Sequence, residues 1–201
     1  MRQFVIVGHR AATSGDFSLD DMPGSAGRID ILARCVTAAF LTSFNIRRDT
    51  RVRLVLLGQP DPPKSIRLEG AELRYLNPDE RSTGALIRKA LKADITHGER
   101  ASMRGIYVQR ANLREVVLQI GEEGGLFYLD ENGIDLRDAT FDANNATFML
   151  GDHLGLLEEE EALIAPSKRI SVGPIKLHTD HCITIVHNEM DRRCSKQLCR
   201  F

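Results

Sequence analysis

The sequence predicts an α/β fold on a largely parallel sheet, organised as a single domain over residues 1–201. Three observations point there. Short apolar runs closed by glycine recur, as in "FVIV" (4–7), followed by Gly8, and "RVRLVLLG" (51–58). That is the pattern of strands buried on both faces. Between these two runs, "GRIDILARCVTAAFLTSF" (27–44) places Ile31, Cys35, Ala38, Ala39 and Leu41 at helical spacing. The alternation of strand and helix then continues to the end of the chain, which favours parallel pairing.

The elements follow in order. "GQPDPP" (58–63) is a hard turn, because its prolines cannot donate to a ladder. "SIRLEG" (65–70) reads as a strand. "NPDERSTGALIRKALK" (77–92) reads as a helix with Asn77 as N-cap, Pro78 at N1 and acids in the first turn. "GIYVQR" (105–110) is a short strand, and "LREVVLQIGEEGG" (113–125) a helix stopped by glycine. "LFYLDENG" (126–133) is a strand and turn, and "ATFMLGDHLGL" (146–156) a strand breaking into a glycine-punctuated loop. "EEEEALIAP" (158–166) begins a helix with carboxylates at its positive end, most simply a solvated terminus. "KRISVG" (168–173) is a strand, and 179–193 a last helix.

Composition narrows the function. Apolar residues make up 42% and charged residues 27%, a globular balance. No run approaches the roughly 20 apolar residues of a membrane span. The amino terminus carries no export signal, and four cysteines without one imply a reducing, cytoplasmic setting. The net charge of −1 conceals an asymmetry: residues 1–115 carry 19 basic against 13 acidic side chains, and residues 116–201 carry 8 against 15. A basic half points to a polyanion partner; ordinary solvation is the plainer alternative.

The stretch "RISVGPIKLHTDHCITIVHNEMD" (169–191) raises the question of a metal, since it holds His178, His181, Cys182 and His187. On a helix at about 100° per residue, Val186, Met190 and Ile183 fall within roughly 100° of Cys182. His187 lies near roughly 140° and His181 near roughly 260°, so the two cannot converge on one ion. A structural zinc takes four ligands; no metal is expected. The expectation is a buried Cys182 on a core-facing helix with histidines at its edges.

A second reading is geometric. "FMLGDHLG" and "RISVGPIKLHTDHC" each run from strand through glycine into a loop. Loops at the carboxyl ends of adjacent parallel strands form a ligand crevice. Gly151, Gly155 and Gly173 allow close backbone approach, and Leu129, Leu150, Leu154, Ile175 and Leu177 supply apolar walls. Neither phosphate-cradling glycine motif is present. Such a crevice suits a flat base with a polar edge; two ordinary tight turns would read the same way.

Several motifs together, "DMPGSAGRIDILARCV" (21–36), "NIRRD" (45–49), "GQPDPP", "NPDER" (77–81), "GIYV" (105–108), "FMLGDHLGL" (148–156) and "KRISVGPIKLHTDHCITIVHNEMD" (168–191), span nearly the whole chain. In this order they resemble the archaeal tRNA pseudouridine-54 N1-methyltransferases, members of the SPOUT class of S-adenosylmethionine (SAM) enzymes. The resemblance implies a Rossmann-like sheet with a C-terminal trefoil knot and a homodimer packed through the knot region. It also implies SAM contacts at Leu129, Gly151, Asp152, Gly155, Ser171, Val172, Gly173, Pro174, Ile175, Lys176 and Cys182, and tRNA as substrate. A related family acting on ribosomal RNA pseudouridine is the nearest alternative. A non-catalytic RNA-binding module and a zinc-dependent enzyme are the others. The segment "RRCSKQLCRF" matches nothing firmly, so Cys194 and Cys199 receive no role.

In pseudouridine the base is joined through carbon, so N1 carries a hydrogen that must leave, or whose anion must be stabilised, before methylation. Nitrogen is the nucleophile, so no enzyme thiolate is needed. Asp30 is placed to take or polarise that proton and Arg28 to hold a phosphate or the developing charge; a helix-start charge pair is the alternative. Arg47 and Arg48, beside Arg51 and Arg53, suggest a phosphate cluster, against a solvated loop. Arg81 and Arg88 share a helix face and extend that RNA-binding patch, against the plainer alternative of a solvated face. Asp152 and His153 either act as a base or shape their loop.

Overall fold

In the computed structural model of this chain, the described residues are 1–96, 98–121, 125–164 and 167–198, with side chains described through Ser195. The expected helix end at 122–124, the Ala-Pro at 165–166 and Cys199 lie outside them.

Strand β1 (Arg2–Gly8) is the spine of the sheet. Phe4, Val5, Ile6 and Val7 are all fully buried, because helices cover both faces. Its apolar run is continuous rather than alternating for that reason. Phe4 and Ile6 enter one core, Val5 and Val7 the other. After β1 come the short helix α1 (Met22–Ser25) and α2 (Ile29–Phe40). Strand β2 (Thr50–Leu56) then pairs parallel to β1.

Residues 57–63 turn the chain directly into β3 (Lys64–Glu69), which is antiparallel to β2. A parallel return needs at least about a dozen residues, so this turn is too short for one. Helix α3 (Glu80–Leu91) follows, and then β4 (Arg100–Met103) and β5 (Ile106–Gln109), paired antiparallel to each other, with β5 antiparallel to β3. The cap of α3 is Asp79, whose carboxylate accepts from the Ser82 amide at 2.7 Å, not Asn77. Asp79, in extended geometry, also accepts from the Ser82 hydroxyl at 2.6 Å, so the helix starts two residues later than the sequence suggests.

Helix α4 (Leu113–Ile120) opens with a reciprocal capping pair, Asn112 and Glu115, and stops at Gly121 with φ of 67°. Strands β6 (Leu126–Asp135) and β7 (Ala146–Gly151), helix α5 (Glu158–Leu163), strand β8 (Lys168–Ser171) and helix α6 (Thr179–Leu198) complete the order.

Among the described residues the strands form one sheet in the order β4-β5-β3-β2-β1-β7-β6-β8. The half from β2 to β8 is parallel throughout and the arm of β3, β5 and β4 is antiparallel. β7 and β8 are not neighbours as expected; β6 lies between them. Ile170 of β8 pairs with both Leu129 and Ile134 of β6, so residues 130–133 leave the ladder and rejoin it. At Gly133 a Cβ would lie 2.5 Å from the Ile170 nitrogen, so this excursion runs directly against β8. No helix among the described residues is long and apolar enough to cross a membrane.

Candidate functional site

The carboxyl ends of β6, β7 and β8 open into a cleft of about 510 Å³. Leu129, Gly151, Asp152, Gly155, Ser171, Val172, Gly173, Ile175, Lys176 and Cys182 all line it. Pro174 belongs to the same loop but not to the wall. Leu150, Leu154 and Leu177 are on the wall as anticipated, and Ile31 of α2 closes one side.

Each loop has a local cause. β7 ends at Gly151, where a Cβ would lie 2.0 Å from the Gly155 carbonyl oxygen. The missing side chain therefore makes room for the loop's own return rather than for a ligand. Gly155 and Gly173 differ: with φ of 77° and 156°, a Cβ at either meets nothing within 4 Å. These two positions need glycine for backbone conformation and leave open space. The Ser171 hydroxyl donates to the Gly173 carbonyl at 2.8 Å, holding the β8 exit turn. The Thr179 hydroxyl donates to the Gly151 carbonyl at 2.9 Å and ties α6 to the end of β7. Lys176 reaches Glu131 at 2.6 Å, linking the two loops.

Asp152 shapes its loop. Its carboxylate accepts from the Leu154 amide at 2.9 Å, and from both the backbone N–H (2.9 Å) and ring Nδ1 (3.1 Å) of His9. His9 Nε2 meets Glu160 at 2.9 Å, and Glu160 also accepts from the Leu157 amide at 2.9 Å. Burial alone lowers the His9 pKa, but the two carboxylates outweigh it and hold it above the ordinary value. The sequence reading missed this clamp. It took Glu160 as part of a solvated run, whereas Glu160 is 6% exposed. The available signal was a histidine directly after the glycine that ends a central strand.

Arg28 is the only non-glycine among the described residues with positive φ, at 73°. Backbone strain of this kind costs about 1–3 kcal/mol and collects at functional sites. Its Nε and Nη2 both donate to Asp30 at 3.0 Å, and Arg34 adds a third bond at 3.1 Å. Burial raises the Asp30 carboxyl, and the two guanidiniums more than offset it, leaving the group below its ordinary value. A carboxylate so held is a weak base. It fits the charge-pair alternative, with Arg28 positioned by Asp30.

The arginines read as a phosphate cluster each have a partner within the fold. Arg47 donates twice to Asp191 of α6, at 2.7 and 3.1 Å. Arg48 donates to the carbonyls of Gly70 and Leu73. Arg51 is paired with Glu69, and Arg53 is buried against Gln119. These side chains staple strands and loops, because each lies where a carboxylate or free carbonyl needs a donor. Arg81 is exposed and paired with Asp20.

The histidines separate. His187 is 3% exposed, edge-on to Phe4, with Nε2 against the Ala39 carbonyl at 2.9 Å. Burial, with Arg47 and Arg2, pushes its pKa down to about 3. The buried arc of α6 is thus centred on Ile183 and Met190, with His187 inside it and Cys182 on the flank facing the cleft. His178 and His181 line the cleft with rings 5.6 Å apart. Burial pushes the Cys182 thiol up to about 11, so it is no thiolate at neutral pH. Among the described residues no group of three or more metal-ligating side chains converges.

Residues 1–194 match the family described as "Putative SAM-dependent RNA methyltransferase". The tRNA (pseudouridine(54)-N(1))-methyltransferase of Methanosarcina acetivorans is 54% identical over 194 residues, covering 96% of this chain and 92% of the relative. That of Methanocaldococcus jannaschii is 44% identical over 202 residues, covering 96% and 98%. Among solved structures, Archaeoglobus fulgidus Nep1 bound to S-adenosylhomocysteine is similar in fold, with a TM-score of 0.64 at 14% identity, covering 96% of this chain and 99% of that one.

Proposed function

Since the chain belongs to the SAM-dependent RNA methyltransferase family, we propose that its activity is methyl transfer from SAM to N1 of pseudouridine 54 in tRNA. The observation that carries this reading is the convergence of the Gly151–Gly155 loop and the Ser171–Leu177 segment on one cleft, beside the strained Arg28.

The cleft suits the cofactor. About 510 Å³ lies within the range for small-molecule sites. Its leucine and isoleucine walls fit an adenine ring, and the open space beside Gly155 and Gly173 lets the ring's edge come close to the backbone. Of the carboxylates on its wall, Asp130 and Glu131 are paired with Arg169 and Lys176, which leaves Asp180 as the acceptor for a cationic ligand. When bound, SAM supplies a methyl group activated by a positively charged sulfur. Leu129, Gly151, Asp152, Gly155, the 171–176 segment and Cys182 would hold it.

The chain's own residues then act on the base. Arg28, fixed through Asp30, retains Nη1 hydrogens free of any partner among the described residues. Placed against the uracil carbonyls, they stabilise the anion left when N1 loses its proton. Asp30 is a positioning residue and not the proton acceptor. The return of the chain from edge strand β8 to the end of β7, through the Thr179–Gly151 bond, supports a threaded, knotted C-terminal segment. Exposed Leu154, Ile175 and Leu177 around the cleft support a homodimer packed on that face. The site of action is the cytoplasm.

The test uses SAM labelled in its methyl group. Purified protein, incubated in parallel with tRNA and with small-subunit ribosomal RNA that both contain pseudouridine, should label tRNA. Label confined to ribosomal RNA would transfer the assignment to the related family.

A further inference from the structure

The arginines suspected of meeting phosphate are mostly consumed inside the fold, yet the amino-terminal half is basic. Unpaired cations remain elsewhere. At the amino ends of the parallel strands, away from the cleft, a hollow of about 210 Å³ has Leu73, Leu86 and Met103 among its apolar lining. Arg74, Tyr75 and Arg104 also line it. All three are exposed, Tyr75 by 67%. Among the described residues neither arginine has an ion-pair partner. The nearest carboxylates in sequence are committed: Glu72 accepts from the Tyr107 hydroxyl, Glu99 pairs with Arg67, and Asp79 caps α3.

The hollow is also pre-formed. Arg48 Nη1 donates to the carbonyls of Gly70 and Leu73, fixing the loop that carries Arg74 and Tyr75. Gly105, with φ of 79°, brings the β4–β5 turn so close that a Cβ would lie 2.7 Å from the Leu73 nitrogen. That contact sets Arg104 beside the same loop.

We propose that this hollow binds an unpaired nucleotide of the RNA substrate, its base stacked on Tyr75 and its flanking phosphates met by Arg74 and Arg104. An exposed aromatic ring sharing a hollow with unpaired arginines over an apolar floor is the chemistry of single-strand recognition. The hollow can hold one planar base, and its uncompensated positive rim selects a polyanion over an apolar peptide. Arg48, read from sequence as a phosphate contact, acts here as the residue that positions the loop. This inference rests on the proposed function, because it presumes an RNA substrate.

The experiment measures tRNA binding by the full chain across a salt series, with SAM affinity and melting temperature as controls. Tyr75→Ala should weaken tRNA binding about 5- to 150-fold, the range expected for one stacked base. Tyr75→Phe should restore it. Arg74→Ala with Arg104→Ala should reduce the salt slope by roughly 1.4, at about 0.7 per single-strand contact. SAM affinity and melting should be unchanged in all three, since the residues are exposed and remote from the cleft. Unaltered tRNA affinity and slope in folded variants overturn the proposal, as does a changed oligomeric mass with unchanged RNA binding, which would make the hollow a protein contact. If the unaltered protein fails to methylate tRNA, the proposed function fails. If it methylates tRNA and the variants bind normally, only this inference fails.

Discussion

Replacing His9 by alanine removes the one side chain among the described residues that touches both Asp152 and Glu160. The two carboxylates are 7% and 6% exposed, and the His9 side chain is 9% exposed. Breaking a buried, hydrogen-bonded pair of this kind costs about 3–5 kcal/mol, because the remaining partner is left unsatisfied. For a chain of this size, each kcal/mol lowers the melting temperature by roughly 2–4 °C. The expected fall is therefore about 6–20 °C. The pH dependence has a definite sign. The folded-state pKa of His9 is raised above 6.5. Its contribution is thus complete below about pH 6.5 and is lost as pH rises through the raised value. Melting of the unaltered protein and of His9→Ala, measured from pH 5 to pH 9, should show a gap that is widest at the acid end and narrows toward alkaline pH. His9→Gln, which keeps a neutral donor but no charge, should fall between them. SAM affinity should weaken along with the loop that Asp152 shapes. A gap that is constant across this pH range, or smaller than about 1 kcal/mol, would refute the reasoning.

Three further outcomes are expected. Gly151→Val should abolish SAM binding measured by calorimetry and also lower the melting temperature, since its Cβ would collide with the Gly155 backbone; retained affinity would remove this loop from the site. Asp30→Asn should lower kcat by less than about 100-fold with little change in SAM affinity, because it loosens Arg28 without removing a base. A larger loss accompanied by disappearance of the acid limb of the pH–rate profile would return Asp30 to proton transfer. Cys182→Ser should keep appreciable turnover, and alkylation of the native thiol should accelerate with pH toward about 11; fast alkylation at neutral pH would revive a thiolate role.

Much of the parallel half was legible because burial on both faces leaves a continuous apolar run, as in Phe4–Val7 and Phe148–Leu150. β4 was not, since "RASM" is short, partly exposed and neither alternating nor apolar. Its place in the sheet comes from pairing with β5. The antiparallel direction of β3 was hidden in a connection whose length, rather than its residue types, decides it. The cleft was foreseen where glycine closes a strand, at Gly151 and Gly173. The roles of charged residues were harder. Arg47 looks like a surface cation in its tripeptide, yet Asp191, far along the chain, receives it. His9 and Glu160 lie just as far apart in sequence, and only the β1–β7 pairing brings β1's exit to the Asp152 loop. Local spacing shows which groups are present; tertiary pairing decides which remain free.

The most direct test of the central account is nucleoside mass spectrometry on two otherwise identical tRNAs, one with pseudouridine and one with uridine at position 54, after incubation with SAM. Uridine N1 is bonded to ribose and has no hydrogen to lose, so the account predicts a methyl group on pseudouridine N1 and an unmodified uridine tRNA. Binding of the uridine tRNA is expected to persist, since phosphate contacts do not read that bond. Methylation of the uridine at position 54, or a methyl group found on any atom other than N1 of pseudouridine, would contradict the account.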